Sequence, residues 1–224
     1  MSDIKRKFNI VGAIGDIHSE DRLLEKAISF LNAQRVEMIL CSGDIVDGRG
    51  DVNRCCTLLD QDNIQVVQGN HEQWFLEQSM RGLPDATRLD EVSQESIAYL
   101  QSLPLTDEFF VPDGVLLLCH GLGENTMAKV TPDDYGYALE SNMDLQKLLD
   151  DKKYRYIING HTHKPMVRHF GQVTIINSGT LQRDKRPGFL IVDFREGIVR
   201  YFSFNNADNI EEGMTVSIVP PPFN

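Results

Sequence analysis

Cys41-Ser42-Gly43-Asp44-Ile45-Val46-Asp47 decides how the chain is read. It closes an apolar run, Val36 to Leu40 with one Glu and one Met inside it, of the length and content of a short buried strand. Gly43 lets the backbone turn tightly and approach a ligand. Asp44 therefore falls where a strand meets a loop, the place where α/β sheets bind ligands. A carboxylate there has two oxygens and can bridge two cations. Asp47, three residues on, is placed to orient a neighbour.

The pattern repeats on either side. Phe8 to Ile14 reads as a strand ending at Gly15-Asp16-Ile17-His18, and Ser19 to Gln34 as a helix capped by Ser19, with Leu23, Leu24, Ala27, Ile28 and Leu31 on one face. Asp51 to Asp60 is a second helix, capped by Asp51; Ile64 to Val67 is a strand ending at Gly69-Asn70-His71-Glu72; a third helix starts at Gln73. Three strand–helix units predict a parallel sheet with crossover helices and ligand-bearing loops at the carboxyl ends of its strands.

Farther on, Ser93 to Leu103 is helical, and Phe109–Val111 and Val115–Cys119 form a hairpin that ends at His120-Gly121. Leu122 to Asn142 is irregular, of a length that often covers active sites, with Tyr135 and Tyr137 as lid candidates. Asp144 to Asp151 is a short helix, and Tyr154 to Ile158 is a strand ending at Asn159-Gly160-His161-Thr162-His163. Met166–Phe170, Val173–Asn177, Phe189–Phe194 and Val199–Phe204 read as an antiparallel meander, and the Pro220-Pro221-Pro222 tail as extended. With no repeat or low-complexity linker, residues 1–224 are expected to form one domain.

Lys+Arg 22 against Asp+Glu 33 gives a net charge of -11, which argues against a general duplex-binding surface while leaving room for a small phosphate ester drawn by local positive charge. The 4 cysteines (Cys41, Cys55, Cys56 and Cys119) form no CxxC pair and read as buried free thiols. Neither a signal peptide nor a membrane span is read, so a reducing, cytoplasmic location and no membrane partner are expected.

Of 6 histidines, only His169 lies away from a strand-to-loop junction. Asp-x-His, Gly-Asp, a strand-end His120 or His161-Thr162-His163 would each be unremarkable alone. Together, Asp16, His18, Asp44, Asn70, His120, His161 and His163 form a set of imidazoles, carboxylates and one amide without thiolate. Such a set suits Mn, Fe, Zn or Ni rather than a Cys-rich structural zinc. Seven groups exceed one tetrahedral site and fit two divalent metal ions about 3.5–4 Å apart, sharing a carboxylate. Two such cations against the Asp16 and Asp44 carboxylates leave the centre at about +2, enough to attract a phosphate and lower the pKa of a bridging water.

Asp16-x-His18, Gly43-Asp44-x-x-Asp47, Gly69-Asn70-His71-Glu72, His120 and Gly160-His161-x-His163 resemble the five-part signature of calcineurin-like metallophosphoesterases, and Val173–Asn177 followed by Ser178-Gly179-Thr180 resembles a late segment of their small bacterial branch, with Ser178 in place of Pro. The resemblance implies a four-layer α/β/β/α sandwich, mainly parallel in its N-terminal part and antiparallel in its C-terminal part. It implies that Asp16, His18 and His163 hold one metal, that Asn70, His120 and His161 hold the other, and that Asp44 bridges. It also implies that His71 faces the substrate as acid or phosphate orienter, held cationic by Asp47, and that Asn70 touches metal and phosphate.

The serine/threonine phosphatases of that superfamily carry Arg-Gly directly after the second Asp. Here Gly48 precedes Arg49, which argues against a phosphoprotein as substrate, while Arg49, one position later, stays with Asn70 a candidate for binding the substrate phosphate. The expected function is hydrolysis of a small phosphate ester, diester before monoester, by a metal-bridging hydroxide. Phosphomonoesterase, protein phosphatase, nucleotide pyrophosphohydrolase and a catalytically silent scaffold are the alternatives. A nicotinamide oxidoreductase lacks its Gly-x-Gly-x-x-Gly turn, and no Gly-x-Ser-x-Gly elbow offers a covalent nucleophile. Trp74 reads equally as a cleft-lining or a packing residue, and the oligomeric state is not encoded in any pattern.

Overall fold

The computed structural model describes residues 7–219; the Pro220-Pro221-Pro222 tail lies outside them. In chain order the elements are β1 (Ile10–Ile14), α1 (Asp21–Ala33), β2 (Met38–Cys41), α2 (Val52–Leu59), β3 (Ile64–Val66), α3 (Asn70–Leu76), α4 (Gln94–Ser102), β4 (Thr106–Val111), β5 (Gly114–Cys119), α5 (Tyr137–Glu140), α6 (Met143–Asp150), β6 (Tyr154–Asn159), β7 (Met166–Phe170), β8 (Val173–Asn177), β9 (Gly188–Asp193), β10 (Ile198–Phe204) and β11 (Ile210–Ser217).

One sheet has the order β11-β10-β9-β1-β2-β3, the other β4-β5-β6-β8-β7. Strand pairs β1–β2, β2–β3, β5–β6 and β6–β8 are parallel. The sheets pack face to face between helices, giving the α/β/β/α layering.

The central strands read as unbroken apolar runs because both faces are buried. Val11, Ala13, Leu40, Leu116, Leu118, Tyr156, Ile158, Ile176, Leu190 and Val192 meet between the sheets. Their strand neighbours Ile14, Ile39, Cys41, Phe189 and Ile191 pack under α1, α2 and α4. Leu117, Cys119, Ile157 and Ile175 pack against Leu145 and Leu148 of α6. All four cysteines are buried and free. Among the described residues, no helix is long and apolar enough to cross a membrane.

Three local expectations need correction. Ser19 does not cap α1: Glu20 occupies that position, and Ser19 sits in left-handed backbone at φ 59 with its N–H donated to Ile45 O at 2.7 Å. The loop after β1 is pinned to the loop after β2, so the helix starts later. α3 starts at Asn70 rather than Gln73, because Glu72 folds back to accept the Gly69 N–H at 2.8 Å. The C-terminal strands do not form one meander. β7 and β8 join the second sheet, whereas β9 and β10 return to β1 and gain the mostly exposed β11, whose Glu211-Glu212-Gly213 hides it from an apolar-pattern search.

Candidate metal centre

Each predicted site residue follows the carboxyl end of a parallel strand. β1 leads to Asp16 and His18, β2 to Asp44 and Asp47, β3 to the first turn of α3 with Asn70 and His71, β5 to His120, and β6 to His161 and His163.

These loops are bound to one another residue by residue. Asp16 N donates to Gly43 O at 3.0 Å and His18 N to Asp44 O at 2.9 Å. Asp16, His18, Asp44, Asp47, His161 and His163 all adopt positive φ. That backbone is uncommon for non-glycine residues, though less so for Asp and His, and it persists where surrounding bonds over-determine it. A β-carbon on Gly69 would collide with Asp44 Oδ1, and one on Gly160 with Asp16 Oδ2, so both carboxylates use space that only glycine leaves.

Asp16, His18, Asp44 and His163 bring ligand atoms within 4.8 Å of one another, as do Asp44, His120 and His161. Asp44 is common to both groups. Asn70 Oδ1 joins the second, 3.0 Å from His120 Nε2 and 2.9 Å from His161 Nδ1.

The donor chemistry fits cations. His120 Nδ1 lies 2.6 Å from Ser42 O and His18 Nδ1 3.1 Å from Asp47 O, which assigns the ring protons to Nδ1 and leaves Nε2 lone pairs pointing inward. His18 Nε2 then faces His163 Nε2 at 3.2 Å, and His120 Nε2 faces Asp44 Oδ2 at 3.2 Å. Each of these contacts is satisfied by a proton on one of its two partners or by a cation between them.

The titration behaviour carries the same message. Burial works against charge on His120, but the Asp44 carboxylate beside it, helped by Asp16, pushes it up to about 10. Burial, reinforced by the His120 charge, pushes His161 down to about 4. Asp44 is held well below the carboxylate range because His120, His71 and His18 together outweigh its burial. A divalent cation meets the same need with more charge. The thiols offer no rival nucleophile, since burial pushes Cys41 and Cys119 up to about 12.

Residues 10–197 match the calcineurin-like phosphoesterase superfamily domain. The chain belongs to that superfamily. Its members use divalent metals, and the two Asp/His groups are where this phosphoesterase domain could hold them. It is 24% identical over 191 residues to an uncharacterized protein, MJ0912, of Methanocaldococcus jannaschii, covering 82% of this chain and 74% of that protein. Its fold matches the hypothetical protein PH1004 of Pyrococcus horikoshii with a TM-score of 0.72 at 15% identity, over 87% of both chains. It also matches a structure described as a novel archaeal phosphodiesterase, with a TM-score of 0.56 at 18% identity over 87% of this chain and 99% of that one.

His71 stands beside the two groups. Its Nδ1 lies 2.7 Å from Asp47 Oδ2 and its Nε2 3.9 Å from Asp44 Oδ2, with a side chain 19% exposed, where Asp44 and Asp47 are 2%. Burial lowers its pKa, but the Asp47 hydrogen bond and the Asp44 charge prevail and raise it.

Arg49 does not join the cluster. It is 86% exposed and paired with Asp85 at 3.1 Å, on the wall of a cleft that opens beside His18. Tyr135 and Tyr137 are exposed, and their segment is tied to the strand-end loop by Lys164–Asp133 at 3.1 Å.

Two functional residues escaped the sequence. Arg81 grips Asp47 with two bonds, 2.8 and 3.0 Å, while Thr87 N adds a third at 2.9 Å; nothing in the irregular stretch around Arg81 announces this. Glu72, buried, accepts the N–H groups of Asp44, Ile45 and Val46 at 2.9, 2.6 and 3.1 Å and so shapes the loop that presents Asp44. Its signal was present: Gly69-x-x-Glu72 is a helix-start pattern.

Proposed function

We propose that the chain is a metal-dependent hydrolase of small phosphate esters, diesters before monoesters, working with two divalent cations of which manganese is the first to try. The observation that carries this reading is the sharing of Asp44 between two convergent ligand groups. Asp16, His18 and His163 would hold one cation, and Asn70, His120 and His161 the other. Bound there, the cations supply positive charge for the phosphate and a hydroxide at neutral pH.

The chain's own groups do the rest. His71 donates the proton at Nε2 to the leaving oxygen. Asp47 fixes the His71 tautomer through Nδ1 and favours its charged form, and Arg81 and Thr87 hold Asp47 in place. The Asn70 amide nitrogen, without a partner among the described residues, is free to donate to a phosphate oxygen. A monoester dianion asks for an extra cationic clamp, yet Arg81 is committed to Asp47 and Arg49 stands outside the ligand cluster, 86% exposed. That favours the singly charged diester.

The test is hydrolysis of a chromogenic phosphodiester and its monoester by metal-stripped protein with manganese restored. Manganese-dependent turnover, faster on the diester, is expected. Faster monoester turnover overturns the diester preference. No turnover of either ester with metal demonstrably bound overturns the hydrolase reading.

A further inference from the structure

Trp74 is the chain's one tryptophan, and the packing of the protein does not account for it. It is only half-buried, whereas its neighbour Phe75 is fully buried. Phe75 and Leu76 belong to the cluster under the first sheet; Trp74 belongs to none of the three apolar clusters of the described residues. Its ring instead lies against His71, with centroids 4.8 Å apart and planes at 56°. The spacing explains this: on α3, Trp74 is three residues beyond His71 and four beyond Asn70, on the helix face that carries the site. Gln73, on its flank, is held by Thr126 Oγ1 at 2.9 Å, so this turn of helix is braced against the irregular segment after β5.

A half-exposed aromatic beside a proton donor has a definite relation to substrate. With His71 as the donor to the departing oxygen, the ring that lies against it, Trp74, is the nearest aromatic surface to the group that carries this oxygen. We propose that Trp74 is a stacking platform for the leaving group, and that the substrate class is phosphate esters whose leaving alcohol bears an aromatic face, as a nucleoside does. The proposal rests on the hydrolase reading above. It makes Trp74 a specificity-determining residue rather than part of the bond-breaking machinery.

A single tryptophan makes the platform directly visible. The metal-loaded protein is titrated with adenosine 5′-monophosphate, ribose 5-phosphate and inorganic phosphate while its tryptophan emission is followed. Saturable quenching by the nucleotide, at lower concentration than any response to ribose 5-phosphate, is expected. Equal responses to both, or none, overturn the platform.

The kinetic arm compares two diesters, one with adenosine and one with glycerol as leaving alcohol. Trp74→Ala is expected to raise KM for the adenosine ester about tenfold, with kcat nearly unchanged, and to leave the glycerol ester unaffected, in line with the usual worth of base–aromatic stacking; Trp74→Phe should recover most of the loss. A fall in kcat on both esters means that Trp74 merely props His71, and overturns the proposal. Quenching by the nucleotide in a protein that hydrolyses neither ester would sink the hydrolase reading and the leaving-group role with it, leaving Trp74 only a nucleoside-binding face.

Discussion

The two sheets contribute unlike things to one site. The first, through the ends of β1, β2 and β3, delivers both carboxylates of the candidate metal groups, His71, proposed above as proton donor, and its partner Asp47. The second, through β5 and β6, delivers only imidazoles: His120, His161 and His163. The first-sheet loops are heavily pre-organised, by paired backbone bonds, by Glu72 beneath Asp44 and by Arg81 beneath Asp47. The second-sheet groups are positioned by bonds that cross to the first: His120 Nδ1 to Ser42 O at 2.6 Å and His161 N to Asp16 Oδ1 at 2.9 Å. The late Ser178–Thr180 turn adds another latch, Thr180 Oγ1 donating to Asp16 O at 2.6 Å. Negative charge sits on one side and lone pairs complete it from the other. The lesson is that the site exists only while the sheets stay packed.

Substitutions probe that asymmetry in descending order of effect. His71→Ala removes the acid supplied by the first sheet and should lower kcat by about 10²- to 10⁴-fold while metal binding persists. The pH profile sharpens the point. The acid works when protonated, so activity should hold below the raised His71 pKa and fall as pH climbs through it. Asp47→Asn removes a raising influence and should move that alkaline limb to lower pH; an unmoved limb would dissociate His71 from it.

Glu72→Gln comes next. It puts an amide donor among backbone N–H groups that need acceptors, with an expected loss of about 2–3 kcal/mol in unfolding experiments and about 10- to 100-fold in activity. Equal damage from a mutation confined to the second sheet's side, such as His163→Ala, to stability would contradict the division of labour. Arg49→Ala should do least, because an exposed ion pair is worth about 0–1 kcal/mol, and kcat/KM should barely change.

The succession of strands and helices in the first half and the polar residues at the strand ends were legible because both signals are local: apolar runs bounded by Gly-Asp, Gly-Asn-His or Gly-His. What the chain did not announce depends on contacts between distant segments. Arg81 reaches Asp47 across 34 residues, and Ser19 gives up its capping role to a backbone bond with Ile45. The left-handed backbone at Asp16, His18 and Asp44 follows from loop-to-loop pairing that no periodicity encodes. β11 was hidden for a different reason: an exposed edge strand needs no apolar alternation.

The central claim is that two cations share Asp44. Manganese binding to the metal-stripped chain, followed by electron paramagnetic resonance, tests it without recourse to activity. The account predicts two manganese ions per chain with the spectrum of a spin-coupled pair about 3.5–4 Å apart, and loss of that coupling in Asp44→Asn. One ion per chain, or two that remain magnetically independent in the unaltered protein, would contradict it.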